Sequence, residues 1–279
     1  MPELPEVESV RRQLAPRLVG RVVTDVWVDP HPSQRISRVD DVVGGRIVDV
    51  RRRGKYLLLP LDGDRADVDL ELVLHLGMTG SFRFQPTHPG PDDAVVDHVR
   101  VRFHLDDDSD LVFRDPRRFG RVSVVTAGDY ADEVPTLALL GPEPLSDDFS
   151  ADAFAEGLRA TRAPVKAALL GQRLVAGVGN IYADEALWRA RIHPASRRVG
   201  RARAHDLHAA VREVIAAAID REGTTFRDYQ MVNGESGRNA DFLVAYGQEG
   251  LPCVRCGTAM RKVVLAQRGT TYCPSCQRP

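Results

Sequence analysis

The sequence has little cysteine: four in 279 residues, all near the C-terminus. So few thiols, gathered at one end, exclude a disulfide scaffold as the source of stability. No apolar run approaches the roughly 20 residues that a membrane helix needs. The first residues, Met1-Pro2-Glu3-Leu4-Pro5-Glu6, have no basic segment and no apolar core, so a secretory signal is not expected and a cytoplasmic location is. Internal repeats and low-complexity tracts are missing too. Net charge is nearly missing, at −1, so the whole-chain balance does not announce a polyanionic partner.

What is present is an ordinary globular composition, 43% hydrophobic and 28% charged, in a chain long enough for two domains. Its charge is unevenly spread. Between Arg159 and Arg203 lie ten basic residues opposed only by Asp184 and Glu185, and from Cys253 onward there are five more with no acid. Acids collect elsewhere, in Asp62-Gly63-Asp64 and Asp106-Asp107-Asp108-Ser109-Asp110. One basic face neutralises phosphates even on a near-neutral protein, but solvated helix surface reads the same way.

Val7, Val10, Leu14 and Leu18 fall at helical spacing over 6–18, with Pro5 suited to the first turn. From 21 to about 126 the pattern becomes strands, at 22–28, 46–50, 56–61, 70–76, 81–84, 99–105, 111–113 and 121–125. Short strands with turn links and no helices between them predict an antiparallel sandwich or barrel. Pro135, Pro142 and Pro144 mark a linker. Helices are expected over 151–159 (with Ser150 as cap), 166–170, 181–190 and 204–221, and mostly loop over 224–250. The fold class is therefore α+β. The expected domains are 1–131, a linker at 132–150, a helical domain at 151–250 and a cysteine finger at 251–279.

Cys253-x-x-Cys256 and Cys273-x-x-Cys276 are separated by sixteen residues, a zinc-ribbon spacing. Four thiolates satisfy tetrahedral zinc and leave no open position, so one structural Zn2+ is expected. Arg261, Lys262 and Arg268 between the knuckles point a hairpin at an anionic partner, although zinc ribbons also bind protein.

Pro2 follows the initiator methionine. Removal of Met1 would expose a secondary α-amine, which titrates near 8 and is partly neutral and nucleophilic at pH 7. Attack on a sugar C1′ would give an iminium ion, an electron sink for elimination, with Glu3 and Glu6 as adjacent carboxylates and Lys55 as a nearby cation. Ordinary helix-start acids are the alternative. Met78 in His75-Leu76-Gly77-Met78-Thr79-Gly80, and Arg117 with Phe119 in Asp115-Pro116-Arg117-Arg118-Phe119-Gly120, sit in tight turns, as wedges into DNA or else as core residues. Gly177-Val178-Gly179-Asn180 leads into a helix and offers N–H groups to a phosphate, or is a plain helix–helix turn.

Together these motifs, with Gly54-Lys55-Tyr56, Gly177 to Glu185 and the cysteine finger, resemble in order and spacing the bacterial formamidopyrimidine-DNA glycosylase family along the whole chain. The resemblance implies an N-terminal β-sandwich, a helix-two-turns-helix in the helical domain, a zinc-ribbon hairpin, and a monomer acting on duplex DNA with damaged bases or abasic sites. It implies a bifunctional glycosylase and abasic-site lyase for oxidised purines, nucleoid-associated, with β,δ-elimination. Pro2 would be the nucleophile, Glu3 the acid/base that opens the sugar, Glu6 an orienting group, and Lys55 a backbone contact. Met78, Arg117 and Phe119 would fill the void left by the flipped base; His75, Lys166, Asn180 and Arg268 would hold phosphates. The loop 233–242 departs from the family's aromatic run, with Arg238-Asn239 after its second glycine, and bears on lesion preference. Three alternatives stand beside this reading, one of them a zinc-ribbon protein-interaction module on an unrelated fold, which leaves the wedge turns and the N-terminal motif unexplained. An endonuclease VIII-type enzyme for oxidised pyrimidines would carry glycine where Leu4 is. A non-catalytic damage-binding protein would not need Pro2, Glu3 and Lys55 intact.

Overall fold

The computed structural model describes residues 2–31, 33–63, 69–88, 96–225 and 231–278. Met1, Asp64 of the acidic turn and residues 226–230 of the expected loop lie outside them. The chain forms two compact units. One comprises the first two residues, 6–138 and 224–237; the other comprises 3–5, 139–223 and 238–279.

Helix α1 (Leu4–Leu18), which belongs to the first unit from Glu6 onward, begins two residues before the expected start, with Pro5 in its first turn. Ten strands follow: β1 (Val23–Val28), β2 (Ile36–Ser37), β3 (Arg46–Ile47), β4 (Arg51–Arg53), β5 (Tyr56–Asp62), β6 (Leu70–His75), β7 (Ser81–Pro86), β8 (Val99–Leu105), β9 (Ser109–Arg114) and β10 (Arg121–Thr126). One sheet has the order β1-β8-β9-β7; the other runs β2-β10-β6-β5-β3, with β4 also on β5. All pairs are antiparallel except β2 with β10. The two-residue β2 and three-residue β4 have no hydrophobic alternation and were not expected.

Alternation decides which side faces in. Leu57 and Leu59 pair with Leu74 and Leu72, which pair in turn with Val122 and Val124, so one face of the second sheet is a continuous apolar surface. Phe82, Val101, Phe103, Leu111 and Phe113 of the first sheet and Val7, Val10, Leu14 and Leu18 of α1 belong to the same buried cluster. The two sheets share one core, as a sandwich does. Each of these side chains contributes about 1.5–3 kcal/mol when fully buried.

In the second unit, the proline-bearing stretch holds buried Phe149, and Ser150 caps α3 (Ala151–Ala160) by accepting from Ala153 N–H. Then come α4 (Val165–Leu170), α5 (Asn180–Arg189) and α6 (Arg201–Asp220). Leu207, Val211, Ile215 and Ala218 of α6 are buried in one cluster with Ile181, Tyr182, Ala186 and Leu187 of α5. The hairpin β11 (Arg261–Leu265) and β12 (Arg268–Tyr272) closes the chain. One further helical turn, α2 (Pro135–Ala138), belongs to the first unit. Among the described residues no helix is long and apolar enough to cross a membrane.

Candidate functional site

In the first unit, the two wedge turns are built as one piece. Asp115 is buried; its Oδ1 accepts from Thr79 Oγ1 at 2.6 Å and its Oδ2 from Gly120 N–H at 2.7 Å. Arg117 N–H donates to Thr79 Oγ1 at 3.3 Å. Gly77 has φ +64°, and a Cβ there would lie 2.5 Å from the carbonyl carbon of Phe119, so the turns are too close for any other residue. Arg35 Nη1 donates to Phe119 O at 3.0 Å. With its backbone fixed in this way, Phe119 is 40% exposed, which rules out the core reading. The Arg117 guanidinium lies 4.9 Å over the Phe119 ring, and Met78 is half-buried beside them in sequence.

His75 precedes this pair of turns. Its Nδ1 accepts from Gly77 N–H at 3.0 Å, and its ring lies 4.6 Å from that of Tyr56, its partner across the β5–β6 pair. Burial, followed by the charges of Lys55, Arg35 and Arg121, brings its pKa down to about 4. His75 is therefore a neutral imidazole with its proton on Nε2, a donor. Lys55 stands in the β4–β5 turn, where Arg52 Nη1 donates to Gly54 O at 3.1 Å. Glu6 is buried and its Oε1 accepts from Thr224 N–H at 2.6 Å. Pro2 is buried as well.

The second unit contains Glu3. Its carboxylate is 1% exposed and accepts from Gly179 N–H at 2.8 Å, Ile181 N–H at 2.9 Å and Tyr182 N–H at 3.4 Å. Those are the orphan donors at the start of α5, where a negative charge is stabilised by the helix dipole. A Cβ on Gly179 would collide with the Glu3 side chain. This corrects the expectation that Gly177 to Asn180 offers its N–H groups to a phosphate: the anion at this helix start is Glu3.

Lys166 is corrected too. It is fully buried, with Nζ 2.6 Å from Asp184 Oδ1, 2.8 Å from Thr270 Oγ1 and 3.3 Å from Gly269 O. As it stands it is not open to a phosphate. Asn180 is half-buried; its Nδ2 donates to Gly269 O at 3.0 Å. Arg268, at the start of β12, is exposed.

The four thiols form the remaining cluster. Their sulfur atoms all lie within 4.8 Å of one another, and Cys256 Sγ is 3.5 Å from Cys273 Sγ. Tetrahedral zinc with bonds of about 2.3 Å needs sulfurs about 3.8 Å apart, so the set fits one ion. Hydrogen bonds from Thr258 draw the Cys256 thiol down to about 6, while burial pushes Cys276 up to about 12. A cation among the four sulfurs would hold all of them as thiolates.

Three family models match the chain. They are the formamidopyrimidine-DNA glycosylase N-terminal domain over residues 1–122, its H2TH domain over 140–230, and the zinc finger found in FPG and IleRS over 250–279. The formamidopyrimidine-DNA glycosylase of Deinococcus radiodurans is 48% identical, covering 99% of this chain and 97% of the relative. That of Thermus thermophilus is 46% identical, covering 99% and 98%. The chain belongs to the formamidopyrimidine-DNA glycosylase family.

Solved structures of the family agree in fold. The Thermus thermophilus MutM (Fpg) protein superposes with a TM-score of 0.87 at 45% identity, over 99% of this chain and 98% of that one. Lactococcus lactis Fpg bound to abasic-site DNA gives 0.86 at 34% identity, over 99% and 100%. The FPG-type zinc finger and the sulfur geometry together make the cysteine cluster a site for one structural zinc ion.

Sequence reasoning missed several residues in each unit. Asp115 and Asp184 stand inside motifs that were read, but their work as buried acceptors needs partners distant in sequence. Arg35, Thr224 and Thr270 carry no sequence signal. Tyr246 was missed as well; burial and the charge of Glu3 raise its hydroxyl pKa.

Proposed function

We propose that this chain is a base-excision DNA glycosylase with lyase activity, acting on oxidised purines in duplex DNA through its N-terminal proline. The observation that carries the reading is Glu3. The residue after the proline is a carboxylate held by three backbone N–H groups, a fixed proton acceptor and not a solvated helix-start acid.

The chemistry runs as follows. Once Met1 is removed, the Pro2 nitrogen attacks C1′ of the damaged nucleotide. The N-glycosidic bond breaks with its electron pair on the leaving base, which takes a proton. Glu3 accepts the proton that the Pro2 nitrogen sheds on attack and passes it to the sugar ring oxygen as the ring opens and the C1′–N iminium forms. Loss of a 2′ proton expels the 3′ phosphate; a second elimination expels the 5′ phosphate; water then releases the proline. Glu6 orients the start of α1. Lys55, neutral His75 and Arg268 hold phosphates; Met78, Arg117 and Phe119 occupy the space of the extruded base. Zinc takes no part in these steps and shapes the hairpin. The protein acts as a single chain, in the bacterial cytoplasm on the nucleoid.

Borohydride trapping on a duplex with 8-oxoguanine opposite cytosine tests this. The expected result is a covalent protein–DNA complex on a denaturing gel, lost in Pro2→Gly and when Met1 is retained. Trapping on an abasic-site duplex alone would keep the chemistry and shift the lesion class. No trapping on either, with DNA still bound, would overturn the enzyme reading.

A further inference from the structure

We infer that Lys166 and Asp184 act as a positioning pair that sets Arg268, and that Lys166 makes no phosphate contact of its own. The inference rests on the DNA-glycosylase reading above. Three side chains from α4 and α5 grip three consecutive residues of β12. Lys166 Nζ holds Thr270 Oγ1 and Gly269 O, Asn180 Nδ2 also holds Gly269 O, and Asp184 Oδ2 accepts from Thr271 N–H at 2.9 Å. Thr270 and Thr271 are buried, whereas Arg268, one residue before the gripped segment, is exposed. A flexible arginine on a two-stranded ribbon has no fixed place by itself, because an isolated hairpin is marginal in water. Anchoring the next three backbone positions to a helix gives Arg268 a defined origin.

The pair itself explains why the device is rigid. Lys166 is 0% and Asp184 1% exposed, and the ammonium finds three oxygens, so the charges are matched and hydrogen-bonded in a dry site. Removing one partner of such a pair leaves an uncompensated buried charge; removing both does not. Asp184 also lies one turn along α5 from the N–H groups that hold Glu3, so one ten-residue helix carries both the acid/base carboxylate and the hairpin anchor.

The test is a rescue. Lys166→Gln should weaken binding of lesion duplex by about tenfold or more, as loss of one member of a buried pair does. The combination Lys166→Gln with Asp184→Asn, a neutral pair able to hydrogen-bond, should restore binding to about the wild-type level. It should also restore the salt dependence of binding, whose slope reports the number of phosphate contacts at about 0.9 each. A direct phosphate contact predicts the reverse: no rescue, and a slope lowered in both variants. A double-mutant cycle with Arg268→Ala is the second readout. If Lys166 acts through Arg268, the two losses are not additive; additive losses overturn the inference. Should Lys166→Gln fail to fold, the same cycle is run on Asp184→Asn, which keeps an acceptor for Thr271. If wild-type protein does not bind lesion duplex at all, the functional reading fails separately. Amide exchange at residues 269–271 then decides: protection lost in Lys166→Gln and regained in the neutral pair supports the positioning role, and unchanged protection overturns it.

Discussion

At the scale of single residues, the site depends on groups whose charge state is set by neighbours. His75 is the clearest. Its ordinary pKa of 6.5 falls to about 4 through burial and three nearby cations. A lowered histidine pKa means that the folded state binds the proton less well than the unfolded state. The stabilising contribution is thus complete above pH 6.5 and lost as pH falls toward 4. Wild-type protein should lose about 2 kcal/mol more between pH 7.5 and 4.5 than His75→Asn does. The variant keeps an acceptor for Gly77 N–H and cannot titrate there. Urea unfolding at the two pH values measures this; equal losses would mean that His75 binds its proton as well in the fold as in the unfolded chain. The sequence marked His75, Glu3 and Phe119 because their motifs are local. It could not say that Glu3 takes the helix start expected of a phosphate, since the acceptor and its donors are separated by some 175 positions.

At the scale of elements, periodicity served long segments and failed short ones. α6 and β6 were legible because an apolar face repeats along them. β2 and β4 were not, since two or three residues carry no period and only the partner strand makes them strands. The cysteine hairpin shows how locally poor turn chemistry survives. Leu265 pairs with Arg268, leaving Ala266 and Gln267 as a two-residue turn with φ of 47° and 59°. Both are left-handed, the geometry that favours Asn-Gly, and non-glycine residues there cost about 1–2 kcal/mol each. Zinc on one side and the Lys166–Asp184 anchor on the other tolerate that cost. Gln267→Gly should raise stability toward urea by about 1 kcal/mol in the zinc-loaded protein. A drop in stability would show that the Gln267 side chain makes a contact worth more than the strain.

At the scale of the whole molecule, the sequence delivered the order of parts but not their membership. Residues 224–237 follow the helical segment in the chain yet belong to the first unit. Met231 lies in that unit's core, and Gln13 contacts both Met231 Sδ, at 3.3 Å, and Asn233 N–H, at 3.2 Å. No periodicity marks such an exchange, because it is fixed by tertiary contacts, the burial of Met231 and the Thr224–Glu6 and Asn233–Gln13 hydrogen bonds among them. The cysteine finger, in contrast, was legible outright, since metal geometry dictates spacing. Its small core consists of Trp188, Ala245, Cys253, Met260 and Cys273, with Trp188 Nε1 donating to Cys253 Sγ at 3.4 Å. So little apolar surface cannot hold a ribbon together, and structural zinc supplies on the order of 10 kcal/mol to such folds. Trp188 is one of two tryptophans, and the other, Trp27, is 43% exposed. In full-length Trp27→Phe protein, emission therefore comes from Trp188 alone. A strong chelator should release one zinc per chain, shift that emission to longer wavelength and abolish lesion binding, with all three restored by added zinc. Release of zinc without an emission shift would show that the ribbon stands without its metal. Emission and binding that ignore the chelator, with no zinc found, would remove zinc from the account and leave the four thiols to be explained by other chemistry.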